Sequence, residues 1–265
     1  MSISEAEVAR LRAENLELKA LLAAHGIALP QHLIAAPVAK LAAQAGSNIL
    51  APDAKVKIFR RLFHGRDDVY PIRWESQQSG KAGYSPACAN EWRRGVCEKP
   101  RIKCSECEHS VYIPVTEHTI TRHLKGETTV GVYPLLADDR CYFLAIDFDD
   151  DEWREDARAV MQTCALNKLP AALEISRSGN GAHLWLFFAS PTPARDARRL
   201  GAALISATCA RTRQLKLSSY DRLFPNQDTM PKGGFGNLIA LPLQKYPREL
   251  GRSVFGNFQA SCRLI

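Results

Sequence analysis

Phe143-Leu144-Ala145-Ile146-Asp147-Phe148-Asp149 runs from apolar residues into two aspartates spaced one apart. Side chains alternate faces along a strand, so Asp147 and Asp149 point the same way while Ile146 and Phe148 point into a core. Two carboxylates side by side at the end of an apolar strand repel each other unless a cation sits between them. Hard divalent ions such as Mg²⁺ or Mn²⁺ take such oxygen ligands. Asp150, Asp151 and Glu152 follow at once, so a plain acidic turn at a strand end stays open on this stretch alone.

The surrounding chain frames the strand. Gly131 to Leu136 reads as a strand, Ala137-Asp138-Asp139-Arg140 as a hairpin turn, and Cys141 to Phe148 as the partner strand. Glu152 to Asn167 and Pro193 to Thr212 read as amphipathic helices. Ala171 to Ser176, Ala182 to Phe188 and Leu238 to Leu243 read as further strands. Strands and helices interleave without repeats, which predicts an α+β fold: a mostly antiparallel sheet with helices on one face. Upstream, Ile58-Phe59-Arg60-Arg61-Leu62-Phe63 predicts a helix with a basic face. Thr116 is the expected cap of a helix to Leu124.

The first residues carry a capping box, Ser4 and Glu7, that opens a helix running to Ala24. Val8, Leu11, Leu18 and Leu22 fall on heptad a and d positions with Asn15 between them. Two readings remain: a seam joining two copies of the chain, or a helix docked on its own domain. The predicted organisation is an N-terminal coiled-coil-like helix (1–24), a linker rich in Ala and Pro (25–54), an α/β unit (55–130), a catalytic core (131–255) and an unpatterned tail (256–265). Of 265 residues, 46% are hydrophobic and 24% charged, ordinary for a globular protein. The net charge of +7 leans towards polyanionic partners. No stretch reaches the ~18 uninterrupted apolar residues of a membrane span, and the N-terminus lacks an apolar signal region. A cytoplasmic location is expected, and with it reduced cysteines.

Two further segments bear on chemistry. Ser176-Arg177-Ser178-Gly179-Asn180-Gly181-Ala182-His183 joins two strands through a glycine-bearing turn. Glycines let backbone approach a phosphate, and turn N–H groups can cradle its oxygens. The Gly-Lys-Ser/Thr ending of a Walker loop is absent. The third segment, Ser219-Tyr220-Asp221-Arg222-Leu223-Phe224-Pro225-Asn226-Gln227-Asp228, supplies a third carboxylate. It leads into the basic, glycine-rich Pro231-Lys232-Gly233-Gly234-Phe235-Gly236-Asn237.

A D-x-D strand, a Ser-Gly-x-Gly-x-His hairpin and a later hydrophobic-Asp, in this order, resemble the three-motif signature of the archaeo-eukaryotic primase superfamily. The chain looks most like the primase-polymerase domains of TOTE conflict systems. That likeness extends to Phe63-His64-Gly65-Arg66-Asp67-Asp68-Val69-Tyr70, to Gly83-Tyr84-Ser85-Pro86-Ala87-Cys88 and to Pro225-Asn226-Gln227-Asp228. The resemblance implies an RNA-recognition-like (RRM-like) catalytic sheet preceded by a smaller α/β unit. It implies template-directed nucleotidyl transfer from nucleoside triphosphates, with two Mg²⁺ or Mn²⁺ ions on Asp147, Asp149 and Asp221. Ser178 and His183 would contact the incoming NTP or dNTP. Lys232, Lys245 and Arg177 are phosphate neighbours on charge grounds, and Asp228 is the alternative third ligand. The expected partners are a single-stranded DNA or RNA template, a primer strand and a helicase supplied by another protein.

Cys88, Cys97, Cys104 and Cys107 lie in one turn-rich segment, and Cys104-Ser105-Glu106-Cys107 has zinc-knuckle spacing. Four thiolates would close a structural Zn²⁺ site, with His109 able to replace one of them. Arg93, Arg94, Lys99, Arg101 and Lys103, with Trp74, Tyr84 and Trp92, suit either a grip on single strand or a solvated basic surface. Cys141, Cys164, Cys209 and Cys262 read as small apolar residues. Two rival functions remain at this point: a non-catalytic zinc-containing single-strand-binding module, and a metal-dependent endonuclease.

Overall fold

A computed structural model describes residues 10, 13–14, 50–149, 151–212 and 219–256. The chain divides into two compact units, Met1–Leu50 and Ala51–Ile265. In the first, residues 10, 13 and 14 are helical. The proposed seam of Val8, Leu11, Asn15, Leu18 and Leu22 lies outside the described residues, as do the predicted linker up to residue 49 and the tail from residue 257. Among the described residues no helix is long and apolar enough to cross a membrane.

The second unit opens with α1 (Pro52–Leu62), whose first turn holds a proline and whose last turn holds Arg60 and Arg61. Proline suits a first turn because its missing N–H would be unpaired there anyway. The helix therefore starts inside the stretch predicted as linker. A hairpin follows, β1 (Pro71–Glu75) against β2 (Ala82–Pro86). The cysteine-bearing segment comes next, with a 3-10 turn at Cys104–Glu106 and an antiparallel bridge between Cys88 and Tyr112. Then α2 (Glu117–Lys125) is capped as expected: the Thr116 hydroxyl accepts from the Thr119 backbone, and left-handed Gly126 ends the helix.

The central sheet is antiparallel, in the order β7 (Tyr220–Phe224), β4 (Arg140–Phe148), β6 (Ala182–Pro193), β5 (Ala172–Ile175) and β9 (Val254–Gly256). On one face, α3 (Trp153–Leu166) and α4 (Ala194–Thr212) cover Leu144, Ile146, Phe148, Leu173 and Leu184. Each such side chain contributes about 1.5–3 kcal/mol on full burial. The opposite face carries Phe143, Ala145 and Trp185, packed with Val56 and Phe59 of α1, Phe63 just past its end, and Ile120 of α2. Helices thus flank both faces, not one. The apolar residues of β4 alternate between these two clusters, which leaves its polar end free to form a site.

One predicted pairing is wrong. The strand at Gly131 does not hairpin onto β4; β3 (Gly131–Val132) pairs with β8 (Ile239–Ala240). Pro134 has no N–H for a ladder, so the strand stops before the turn at 137–139. β8 is short for the same reason, because Pro242 closes it. A five-residue helix, α5 (Lys245–Glu249), leads into β9.

Candidate metal and nucleotide site

Asp147 is the penultimate residue of β4, and Asp149 lies just past its end. On the neighbouring strand, Ile146 pairs with Leu223 and Phe148 with Tyr220. One residue of β4, Asp147, therefore faces two of β7, Asp221 and Arg222. Such a bulge re-aims side chains at a strand edge. Asp221 is near the start of its strand. The Asp149 N–H donates to the Ser219 carbonyl at 2.8 Å, tying the two strand ends together. Among the described residues, Asp147, Asp149 and Asp221 are the one group of three or more His, Cys, Asp or Glu with ligand atoms all within 4.8 Å of one another.

The electrostatics of this cluster favour a cation. Burial pushes the Asp147 carboxyl up to about 6, and the charges of Asp149 and Asp221 add to it against the pull of His183 and Arg222. Arg222 pairs with Asp221, which holds the guanidinium above its usual range. Three converging oxygens of this hardness fit a divalent ion of the Mg²⁺ or Mn²⁺ kind.

His183 on β6 is the cross-strand partner of Asp147, and its Nε2 lies 3.4 Å from Asp147 Oδ1. Its other nitrogen, Nδ1, lies 2.9 Å from Oε2 of Glu174, the partner residue on β5. Trp185 Nε1 donates to the same oxygen at 2.9 Å. Burial lowers the imidazole pKa, but Glu174, Asp147 and Asp149 more than offset this and leave it raised. Glu174 is missing from the sequence reading. Its only signal there is a carboxylate set between Leu173 and Ile175 in an apolar strand.

The turn beyond β5 is built from its own side chains. Ser178 Oγ lies 2.9 Å from Ser176 Oγ and accepts the Asn180 N–H at 3.1 Å. Gly179 has φ +82°, and Arg252 fills the space its Cβ would take. Arg177 Nε donates to Gln244 Oε1 at 3.3 Å. Arg252 also escaped the sequence reading, because 73 residues separate it from the turn it covers. Lys232 and Lys245 are placed differently. Lys232 precedes Gly233, which packs near the Ser105 carbonyl, and Lys245 sits 5.8 Å from the Tyr246 ring. Neither forms a hydrogen bond or ion pair with the triad, Ser178 or His183 among the described residues. Asp228 is engaged elsewhere, by Arg198.

Cys88, Cys97, Cys104, Cys107 and His109 line one recess with Lys99 and Tyr112. The Val111 N–H donates to Cys88 Sγ at 3.3 Å, and the Tyr112 hydroxyl to the Cys104 carbonyl at 2.8 Å. Burial lowers the Lys99 pKa, but Glu91 and the Cys104 sulfur more than offset it. The thiols share this recess without the mutual closeness of the three aspartates. Trp92 is 68% exposed beside Lys99. Cys141 and Cys164 are buried, which pushes their thiols up to about 12 and about 11.

Residues 54–262 match the family described as TOTE conflict system, Archaeo-Eukaryotic Primase domain. No curated protein matches the sequence. Among solved structures, the polymerase domain from Mycobacterium tuberculosis Ligase D in complex with DNA is similar at 14% identity and a TM-score of 0.42. That likeness covers 70% of this chain and 71% of that one.

Proposed function

The chain belongs to the archaeo-eukaryotic primase domain family of TOTE conflict systems, and from that premise we propose that it is a template-directed nucleotidyltransferase, a primase-polymerase. The observation that carries this reading is the convergence of Asp147, Asp149 and Asp221 beside His183. Asp147, Asp149 and Asp221 would hold two Mg²⁺ or Mn²⁺ ions, which in such sites activate the attacking hydroxyl and neutralise the departing pyrophosphate. Ser178, in the turn that leads into β6, and His183, against Asp147, would contact the triphosphate of an incoming nucleotide. Arg177, oriented by a neutral amide, keeps its charge for that phosphate. Lys232 and Lys245 stand as supplementary charges that attract the polyanion without direct contact.

We assign the cysteine recess to a structural Zn²⁺ held by Cys88, Cys97, Cys104 and Cys107. Support comes from their shared recess and from the N–H donated to Cys88 Sγ. The surrounding basic residues and exposed Trp92 suit a single-stranded template, since stacking and phosphate contacts together hold single strands.

The test is incubation of the protein with a primed template, nucleoside triphosphates and Mn²⁺, beside an Asp147→Ala variant. Extension by the wild type and none by the variant is the expected result. Cleavage of the template would make the site that of an endonuclease, and an unchanged but bound template would make the protein a binding module. Metal analysis of protein never exposed to chelator tests the zinc, with about one Zn²⁺ per chain expected from four thiolate ligands.

A further inference from the structure

Glu174 has no part in the function proposed above, yet it is 1% exposed and lies two strands from Asp147, opposite His183. Burying an ionised carboxylate is costly unless donors surround it. Two donors do, and both come from β6: Trp185 Nε1 and His183 Nδ1 each lie 2.9 Å from the same oxygen, Oε2. His183 and Trp185 are two residues apart on a strand, so their side chains share a face. The register then sets Glu174 directly opposite His183. An indole N–H points in one fixed direction and can only donate. Trp185 therefore aims the carboxylate, and the carboxylate aims the imidazole.

The chemistry of the contact decides more than orientation. An ionised carboxylate only accepts, so the nitrogen facing it, Nδ1, carries a proton. Nε2 faces Asp147 at 3.4 Å and the space beside the triad. We infer that Glu174 is a positioning residue: by accepting from Nδ1 it fixes the ring plane, and with it the direction of Nε2, with which His183 meets the incoming nucleotide. The inference rests on the nucleotidyltransferase reading for its effect on rate, but not for its effect on the ring.

The experiment compares Glu174→Ala, Glu174→Gln and wild type in two measurements. One is the ¹⁵N chemical shifts of the His183 ring in the nucleotide-free protein. The other is kcat and KM for nucleotide addition, normalised to folded protein. In the wild type, Nδ1 carries a proton shared with Glu174. Glu174→Ala should shift the Nδ1 resonance and lower kcat by about 10–100-fold, since a misplaced group near the reacting atoms costs up to about a hundredfold. Nucleotide KM should move less than about threefold, because Ser178 and Arg177 remain. Glu174→Gln keeps an acceptor oxygen for both donors and should restore most of the rate. If Glu174→Ala does not fold, Glu174→Asp draws the carboxylate back by one methylene and should reproduce both effects. Unchanged Nδ1 shifts, or a rate loss that only tracks the folded fraction, overturns the inference. A wild type that extends no primer ends the polymerase reading, while the ring shifts still decide the role of Glu174.

Discussion

Gly181 and Asp149 touch across two strand ends: a methyl group on Gly181 would sit 2.6 Å from Asp149 Oδ1 and 2.4 Å from the Phe148 carbonyl oxygen. The second glycine of the turn is therefore required by the acidic strand beside it. Gly181→Ala must push back either a backbone carbonyl or the carboxylate itself. We expect nucleotide addition to fall at least about tenfold, since a shift of about 1 Å near reacting atoms costs up to about a hundredfold. Mn²⁺ binding, read by titration calorimetry, should weaken in parallel. Gly179→Ala meets only the flexible Arg252 side chain, and its left-handed φ should cost about 1–2 kcal/mol of stability instead. A variant at 181 with wild-type rate and metal affinity would show that the strand end has room to yield.

What the sequence reveals of this site, and what it hides, follows from distance along the chain. Asp147 and Asp149 are legible because strand alternation acts between neighbours. Ser178 and His183 stand out because one local turn holds the first and leads into the strand of the second. Glu174 becomes visible only once β5 is laid in register against β6, and Arg252 only once β9 closes the sheet edge. Arg222 lies within a recognised motif, but its place opposite Asp147 depends on a bulge that leaves no mark in residue types. The pairing of β3 with β8 joins residues more than a hundred positions apart, while a tempting turn at 137–140 suggests a local hairpin. Topology overrode proximity there, and Pro134 was the overlooked clue.

The third carboxylate is Asp221 and not Asp228 on this geometry. Asp221 shares the 4.8 Å cluster, whereas Asp228 pairs with Arg198 of α4. Metal ligands must be held within a fraction of an ångström, which a strand does better than a loop. Asp221→Asn should eliminate nucleotide addition even at saturating Mn²⁺. Asp228→Asn should lose only an exposed ion pair, about 1 kcal/mol or less, and retain activity within a few-fold. Parallel extension assays on the two variants decide it; reversed phenotypes would move the third ligand to Asp228.

Arg222 competes with any cation that enters the cluster. It pairs with Asp221 and also feels Asp147 and Asp149. Arg222→Gln frees that carboxylate and deepens the negative potential. Its side chain is half exposed, so the gain is limited to about 1 kcal/mol or less, a few-fold in Kd. Mn²⁺ titration at low salt should show tighter binding, and the difference should shrink in concentrated salt as screening grows. Unchanged or weaker affinity would mean that the guanidinium orders the triad instead of competing for it.

His123, a buried residue of α2, makes stability depend on pH independently of the metal site. Its Nε2 lies 3.0 Å from the Pro242 carbonyl, and Nδ1 accepts the Val130 N–H at 3.3 Å. Only a neutral ring satisfies both contacts, because a proton on Nδ1 would face another donor. Burial, aided by the charge of Arg177 and opposed by nearby carbonyls, lowers its pKa from 6.5 to about 4. The unfolded chain then takes up a proton at higher pH than the folded one. Stability is fully present above about 6.5 and is lost as pH falls towards about 4, by up to about 3 kcal/mol. Urea unfolding at pH 7.5, 5.5 and 4.5 should show this loss in the wild type. His123→Gln keeps one donor and one acceptor but has nothing to titrate. The difference in stability between variant and wild type should shift across that window by the same amount. A difference that stays flat from pH 7.5 to 4.5 would mean that His123 is protonated, and tolerated, inside the fold.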